Sequence, residues 1–586
     1  MNIPEKVPDL AARLTLEAFD SFLESFGSVS RRARKVFEGK DWHTGLRDAA
    51  ERMDLYERSL DAVARQLGEV LQERACIQST WIAAKQRFGA LVAGRYDIDR
   101  AETFFNSVSR KMLSTVGINR DVEFFYLHPK PVVVRQPESV YRSFAAGVDT
   151  ISLVRAILED FLFSVPHENI SRDADRVGRE IDLALWPIVG NERSFSVDVI
   201  KAIFYRNTSA YIVGRIIVAD RVIPLVLPLV HGEHGIYVDT VLLHDAEVRA
   251  VFSFAYSYFH VDVERYNALI EFLRSFLPGE KLSALYTSLG YNRQGKTEFY
   301  RDLHRFVHVS KSQFVPAPGL EGAVMIVFTL PNYDFVFKVI KDRPCFLRSR
   351  NDTPKVITKA EVKYRYDFVS HRDRAGRMVD TQEFENLRFK KKRFSQGILG
   401  EFQLAAKDTI DITGDYVNLR HVYVQRKVVP LPMYFNTTTD PESIRQVLID
   451  FGYFLKDITA SGVFPCDLFN IWNYGVTDWG RVVLFDYDDV VPLEKVTFRE
   501  KPAPRTALEE LEPEENWIVA TEEDFFVDEI DRYSGIPLPL KGVFKSVHGD
   551  LYTLKFWENL TEQVRRGGVF EVIPYDRNKR FDPNDR

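Results

Sequence analysis

The sequence predicts an α+β chain in two parts: a mostly helical first part carrying a small inserted sheet, then a second part of strands, turns and helices. Three observations predict it. Apolar residues recur at i, i+3, i+4 and i+7 early in the chain, a β-branched run interrupts them near 211–230, and from about 310 the texture becomes strand, turn, strand. Phe19, Phe22, Leu23 and Phe26 form the apolar face of one helix. Met53, Tyr56, Leu60, Val63, Leu67, Val70 and Leu71 form that of a second. The charged stretch 31–40 between them reads as half exposed. The run YIVGRIIVADRVIPLVLPLV, broken at Ala219-Asp220 and Pro224, supplies the strands of the inserted sheet. No fixed repeat is visible, which excludes a solenoid.

In the second part, 324–330 and 335–341 read as a hairpin joined by Pro331-Asn332-Tyr333-Asp334. A strand over 421–429 and a helix over 441–460 follow. Residues 473–476 and 481–485 form a second hairpin, turning through Thr477-Asp478-Trp479-Gly480. The proline- and acid-rich stretch 501–515 reads as a surface loop, and 576–586 as a frayed tail. The boundary between the two parts falls near 300–312.

Composition narrows the function. The 586 residues carry a formal net charge of −6, which argues against a nucleic-acid partner needing a basic face. Cys76, Cys345 and Cys466 lie too far apart for a disulfide framework or a metal knuckle, so a reducing compartment is expected. The opening MNIPEKVPDL lacks the apolar run of a signal peptide, and the most apolar region, 324–340, is broken by Pro331, Asn332, Asp334 and Lys338. The expectation is a cytoplasmic protein without a membrane partner. Walker A, GxSxG, HExxH and Cys/His-cluster patterns are absent, as is the full GxGxxG of protein kinases.

Chemistry concentrates in four places. Gly319 and Gly322 directly precede a strand, where backbone amides can approach a phosphate; most such pairs are simple turns. Lys338 shares a strand face with Val336 and Ile340, so it needs an anion, unless the strand is an edge and the lysine snorkels to water. Its place on the second strand of a hairpin after a glycine turn is that of the β3 lysine of protein kinases. Asp467, Asn470 and Asn473 precede the second hairpin, and Asp486-Tyr487-Asp488-Asp489 ends it. Asp486 and Asp488 would point to one side of a continuing strand, and carboxylates with an amide oxygen suit Mg²⁺. The alternative is an acidic strand end in solvent. Lastly, Asp380-x-x-Glu383 has capping-box spacing, and spacing alone makes Asp380 a helix N-cap. The basic run Lys390-Lys391-Lys392-Arg393 reads as a solvated face.

Longer strings resemble a known family, isocitrate dehydrogenase kinase/phosphatase. They include AETFFNSV (101–108), IFYRN (203–207), LPGE (277–280), GKTEFYRDL (295–303), APGLEGAVMIVFTLP (317–331), VFKVIKDR (336–343), GRMVDTQEFEN (376–386) and GRVVLFDYD (480–488). The resemblance implies a mostly helical regulatory domain, 1–310, and a bilobal protein-kinase-like catalytic domain, 311–586. It implies one site that phosphorylates and dephosphorylates a serine of isocitrate dehydrogenase, using ATP/ADP with Mg²⁺ or Mn²⁺, with AMP as an allosteric ligand. It also implies control of flux between the citric acid cycle and the glyoxylate bypass.

By position, Ala317, Pro318, Gly319, Leu320, Glu321, Gly322 and Ala323 resemble the nucleotide loop, and Lys338 the ATP lysine. Asp467 resembles the catalytic base, Asn473 and Asp486 the metal ligands, and Asp488 a further active-site acid. Asp380 resembles the acid the family requires for phosphatase work, against the N-cap reading. The chain departs from the family between Asp467 and Asn473, which are six apart rather than five. Trp472 stands where the family has lysine, and Cys466 where it has glycine. That departure supports a second reading, a catalytically weakened nucleotide-binding regulator that docks a metabolic enzyme.

Overall fold

The computed structural model describes residues 6–581 except 128–139, 146–148, 191–193, 255, 320–321, 347–354, 469, 507, 509–510, 513–517, 519–520 and 522. Two long helices, α1 (Lys6–Gly39) and α2 (Trp42–Leu71), open the chain. Asp41 separates them, its carboxylate capping α2 by accepting from Thr44 N at 3.2 Å. Their predicted faces meet: Phe19, Phe22, Phe26, Leu60, Val63 and Leu67 share one core. Val70 is the exception, half exposed. Helices α3 (Gln78–Leu91) and α4 (Ile98–Leu113) add Trp81, Phe88, Phe104 and Phe105 to that core.

Among the described residues the expected inserted sheet has seven strands. They are β1 (Tyr141–Ala145), β2 (Phe195–Ile200), β3 (Phe204–Arg206), β4 (Ser209–Val218), β5 (Arg221–His231), β6 (Ile236–Val238) and β7 (His260–Val261). The predicted run 211–230 falls in β4 and β5, which pair as its spine; β2 and β3 share the other edge of β4. Helices α5 (Thr150–Asp160) and α6 (Ile170–Val189) cover it through Leu153, Ile157, Val177 and Ile181. The domain closes with α7 (Asp245–Phe252), α8 (Tyr266–Phe276), α9 (Leu282–Ser288) and α10 (Asn292–Val309). Helix α10 bridges onward, because its Phe299, Tyr300 and Leu303 lie in the core of the next sheet.

That next sheet is the small lobe of a kinase-like unit. Its first strands are β8 (Val315–Pro316), β9 (Met325–Thr329) and β10 (Phe335–Ile340), the last two being the predicted hairpin. The short pair β11 (Cys345–Phe346) and β12 (Lys355–Val356) leads into α11 (Lys359–Arg372), which has a capping box at Thr358 and Glu361. Strand β13 (Thr381–Lys390), α12 (Gln396–Ala405), β14 (Ile410–Thr413) and β15 (Tyr416–Arg426) complete the lobe. The strand order is β13-β15-β10-β9-β8, with β14 also on β15.

The large lobe begins with β16 (Val429–Pro430) and α13 (Leu431–Thr437), followed by the predicted helix α14 (Pro441–Ala460). Strand β17 (Val463–Pro465) pairs with β20 (Val490–Pro492). Between them lies the second predicted hairpin, β18 (Tyr474–Val476) and β19 (Val482–Leu484). Phe451, Phe454, Phe544 and Trp557 fill the lobe's core. Residues 503–506, 508, 511 and 512 of the 501–515 loop are exposed, and so are Lys390, Lys391 and Lys392. Among the described residues no helix is long and apolar enough to cross a membrane.

Two local expectations are overturned. Asp380-x-x-Glu383 starts no helix: Thr381 to Lys390 is a strand paired with β15 from Thr381↔Gln425 to Lys390↔Tyr416. That pairing buries Phe384, Leu387 and Phe389, which outweighs a local cap. Nor is 576–581 a frayed tail. Tyr575 hydroxyl donates to Asp239 at 2.6 Å, Arg580 pairs with Asp239 at 2.9 Å and Arg577 with Asp457 at 3.1 Å. These ties join the helical domain to the large lobe; residues 582–586 lie outside the described residues.

Arg377 holds the junction between the lobes. Its buried guanidinium donates to Asp450 at 2.7 and 2.8 Å and to Asp457 at 2.9 Å. Burial alone would raise the Asp450 carboxyl, but the Arg377 charge and hydrogen bonds win and hold it below its ordinary value. A depressed carboxylate stabilises the fold above the unfolded pKa of about 4, and that contribution is lost as pH falls. Arg377→Ala is therefore expected to cost about 3–5 kcal/mol at neutral pH, the usual penalty for stranding a buried ion. Thermal unfolding across pH checks this: the gap from wild type should shrink below about pH 4, and a variant as stable as wild type at pH 7 contradicts it.

Candidate active site

Lys338 sits where the sheet allows no escape to water. Strand β10 runs between β9 and β15, which sets Lys338 opposite Val327 and Tyr423. The lysine is 5% exposed, so the edge-strand alternative is overturned. Its ammonium donates to Phe485 O at 2.7 Å and lies 5.4 Å from the Phe485 ring. Burial pushes Lys338 below its ordinary pKa, and nearby Asp486 and Asp488 oppose that shift. Burial and the Asp486 charge push Asp488 well above the carboxylate range, against Lys338 and Arg365 of α11. More acid than one cation can balance is gathered here.

Two strand pairs assemble these groups from separate parts of the chain. Across the β18–β19 hairpin, Phe485 N donates to Asn473 O at 3.1 Å, which places Asn473 beside the start of the acidic run. Beyond the β17–β20 pair, Cys466 N donates to Asp489 O at 2.9 Å, so Asp467 directly follows a residue tied to the end of the acidic run. Asp486 and Asp488 do not share a strand face as expected. Strand β19 stops at Leu484 and the chain turns, Asp488 N donating to Asp486 Oδ1 at 3.3 Å. The turn itself gathers the acids. Asn470 caps the following short 3₁₀ turn, its Oδ1 accepting from Trp472 N at 3.3 Å, and Trp472 is half-buried.

Whether these residues suit a metal is testable on the donors present. Asp488 Oδ1 is buried without a hydrogen-bond partner, a group that seeks a cation or a donor. Among the described residues no three or more His, Cys, Asp or Glu side chains converge as a metal cluster. The fit is to the sparser kind of site, in which an amide and carboxylate oxygens are completed by phosphate oxygens.

The loop 317–323 joins β8 to β9. Ala317 N donates to Val327 O at 3.0 Å, and Val327 faces Lys338, so the loop leaves the sheet on the lysine's own rung. Gly319 has φ +128, and a Cβ at Gly322 would come within 2.5 Å of Met325 O; both need glycine. Pro318, Gly319 and Ala323 are exposed, Ala317 and Gly322 half-buried. Leu320 and Glu321 lie outside the described residues.

Asp380 stands apart from this group. It lines a cavity of about 250 Å³ between the helical domain and the small lobe, with Arg52, Arg100, Tyr256, Tyr291 and Lys296. Its Oδ2 accepts from Gln382 Nε2 at 3.2 Å. Burial raises Asp380 to about 6, against the opposing pull of Gln382, Arg426 and Lys296. The link to the cleft runs through its neighbours: Tyr487 hydroxyl donates to Val379 O at 2.5 Å and lies 3.4 Å from Thr381 Oγ1. Sequence reasoning singled out neither Tyr256, Lys296, Thr381 nor Tyr487. Tyr487 carried a signal, being flanked by the acids; the others carried none.

Known proteins resemble this chain in sequence over nearly its whole length. The family model for the regulatory domain of isocitrate dehydrogenase kinase/phosphatase (AceK) matches residues 12–312, and that for its kinase domain matches 312–577. The chain is 38% identical to the isocitrate dehydrogenase kinase/phosphatase of Anaeromyxobacter sp. (strain Fw109-5) over 581 residues, 99% of each chain. It is 35% identical to that of Anaeromyxobacter dehalogenans (strain 2CP-C), covering 97% of each, and 34% identical to that of Yersinia pseudotuberculosis serotype I (strain IP32953), covering 98% of each. The chain belongs to the isocitrate dehydrogenase kinase/phosphatase family. Membership over nearly the whole length does not favour the reading as a weakened nucleotide-binding regulator. The family's kinase domain implies use of a nucleotide and a protein substrate, and here it contains Lys338, Asp467, Asn473, Asp486 and Asp488.

Asp380 gives a pH-dependent prediction. Its folded pKa of about 6 lies above the unfolded value of about 4. Ionising it in the fold is therefore unfavourable, and it destabilises the native state increasingly as pH rises from 4 to 6. Asp380→Asn should leave the melting temperature unchanged near pH 4 and raise it relative to wild type above pH 6. A difference independent of pH contradicts the assignment.

Proposed function

We propose that the chain is a cytoplasmic, bifunctional kinase/phosphatase that phosphorylates and dephosphorylates a serine of isocitrate dehydrogenase, the enzyme its relatives are named for. Residues 1–310 form the regulatory part and 311–586 the catalytic part of this reading. The activity would control flux between the citric acid cycle and the glyoxylate bypass. The observation that carries it is the buried Lys338 held between the lobes on Phe485 O, beside Asp486 and Asp488, with Asn473 bonded across the hairpin to Phe485.

In the kinase direction Asp467 orients the serine hydroxyl and accepts its proton. Lys338 and the 317–323 loop hold the ATP phosphates, so that catalysis is mostly positioning and charge neutralisation. Asn473 and Asp486 would hold Mg²⁺ or Mn²⁺, which when bound offsets the negative charge of the phosphates. Asp488 completes the acid set, and Asp380 supports the reverse direction, in which the phosphoserine is hydrolysed with ADP or ATP present. In this reading AMP fits the interdomain cavity, because Arg52, Arg100, Arg293 and Lys296 line it and supply cations for a phosphate.

Isocitrate dehydrogenase incubated with the chain, Mg²⁺ and radiolabelled ATP, then chased with ADP, tests the proposal. Label should enter a serine and then leave, and Asp486→Asn should need more Mg²⁺ for half-maximal rate. Failure to label isocitrate dehydrogenase while ATP still binds rules the function out.

A further inference from the structure

The helical domain touches the strand next to the cleft acids through Tyr256. Tyr256 lies between α7 and β7, and its hydroxyl serves both backbone groups of Thr381, accepting from N at 3.3 Å and donating to O at 3.2 Å. A phenol can do both at once, having one proton and two lone pairs. Thr381 begins β13, an edge strand, whose outward N–H and C=O would otherwise be unpaired. Gln425 Nε2 donates to Thr381 Oγ1 at 2.7 Å, and Thr381 Oγ1 meets Val379 O at 3.0 Å. The fully buried Tyr487 hydroxyl donates to the same Val379 carbonyl.

We propose that Tyr256 is a positioning residue for phosphoryl transfer, the outer end of a hydrogen-bonded strut, Tyr256–Thr381–Val379–Tyr487, that fixes Asp486 and Asp488 from the helical domain. The inference rests on the assignment of those two acids to the reaction. Tyr487 is covalently bonded to both acidic residues, so fixing its phenol fixes the peptide on either side. Its ring is wedged 5.0 Å from Tyr366, which stacks at 4.2 Å on Tyr423, the cross-strand neighbour of Lys338. The strut thus enters the same packed group that holds the lysine. It also explains how Asp380, which lines the interdomain cavity rather than the cleft, can act: it lies in the chain between Val379 and Thr381, and a shift of its carboxylate moves both.

The test uses the full chain carrying Tyr256→Phe, Tyr487→Phe or both, which keep the ring packing and remove only hydroxyls. Rates in both directions, the ATP KM, the Mg²⁺ needed for half-maximal rate and the melting temperature are measured. Tyr256→Phe should raise the Mg²⁺ requirement and lower kcat by roughly 3- to 10-fold, the range for one hydrogen bond, with ATP KM near wild type and a lowered melting temperature, since Thr381 N–H and C=O lose their partner. The double variant should lose no more than the worse single one, because both changes break one strut. Wild-type metal dependence in Tyr256→Phe, or fully additive losses in the double variant, overturns the proposal. Asp486→Asn is the control: if its metal dependence is also unchanged, the reading of the acids has failed rather than the strut alone.

Discussion

A lysine buried in the middle of a sheet constrains everything around it. Lys338 cannot reach water from β10, so the chain must bring it an acceptor and negative charge from elsewhere. The acceptor is Phe485 O and the acids are Asp486 and Asp488, all from the large lobe nearly 150 residues later (the Phe485 contact spans 147). That single requirement ties the two lobes across their cleft. It also explains why the acidic run ends a buried strand, Val482–Leu484, rather than fraying into solvent. A lysine held among acids between two lobes fits the use of a nucleotide that the kinase domain implies.

The second constraint is the crossing segment 373–381, where helical domain, small lobe and large lobe meet. Asp373 folds it by accepting from Ala375 N at 3.1 Å and Arg377 N at 3.3 Å. Gly376, at φ +62, leaves no room for a Cβ, which would lie 2.7 Å from the Phe254 ring. Arg377 N–H groups then grip α14, and Val379 N donates to Leu484 O at 3.0 Å beside the acids. The helical domain touches this segment through Phe254, Tyr256 and Asn207, whose Nδ2 donates to Arg374 O at 2.7 Å. A movement of one domain on the other therefore bears directly on the residues next to the cleft.

The sequence was legible wherever the signal was local. The hairpins at 324–341 and 473–485 announce themselves by apolar strands around polar turns, and α14 by Asp440 and Pro441, Asp440 accepting from Ser443 N at 2.9 Å. Lys338 was legible by alternation, though only the flanking strands decide that it is buried. What failed was decided at long range. The capping spacing at Asp380 lost to pairing with β15, and the C-terminal residues found acids more than a hundred positions away. The gathering of Asp486 and Asp488 came from a turn, not from strand alternation. Tyr256 could not be found by pattern, since a single tyrosine in a connecting segment has no period and its partner is 125 residues distant.

In the proposed function Lys338 faces the nucleotide. Its lowered pKa leaves more of the amine neutral and reactive than an exposed lysine would be. A lysine-reactive acyl-phosphate derivative of ATP, followed by peptide mapping with and without excess ATP, reads this directly. Modification at Lys338 that ATP suppresses is expected. Labelling confined to other lysines, or modification of Lys338 that ATP leaves unchanged, contradicts it.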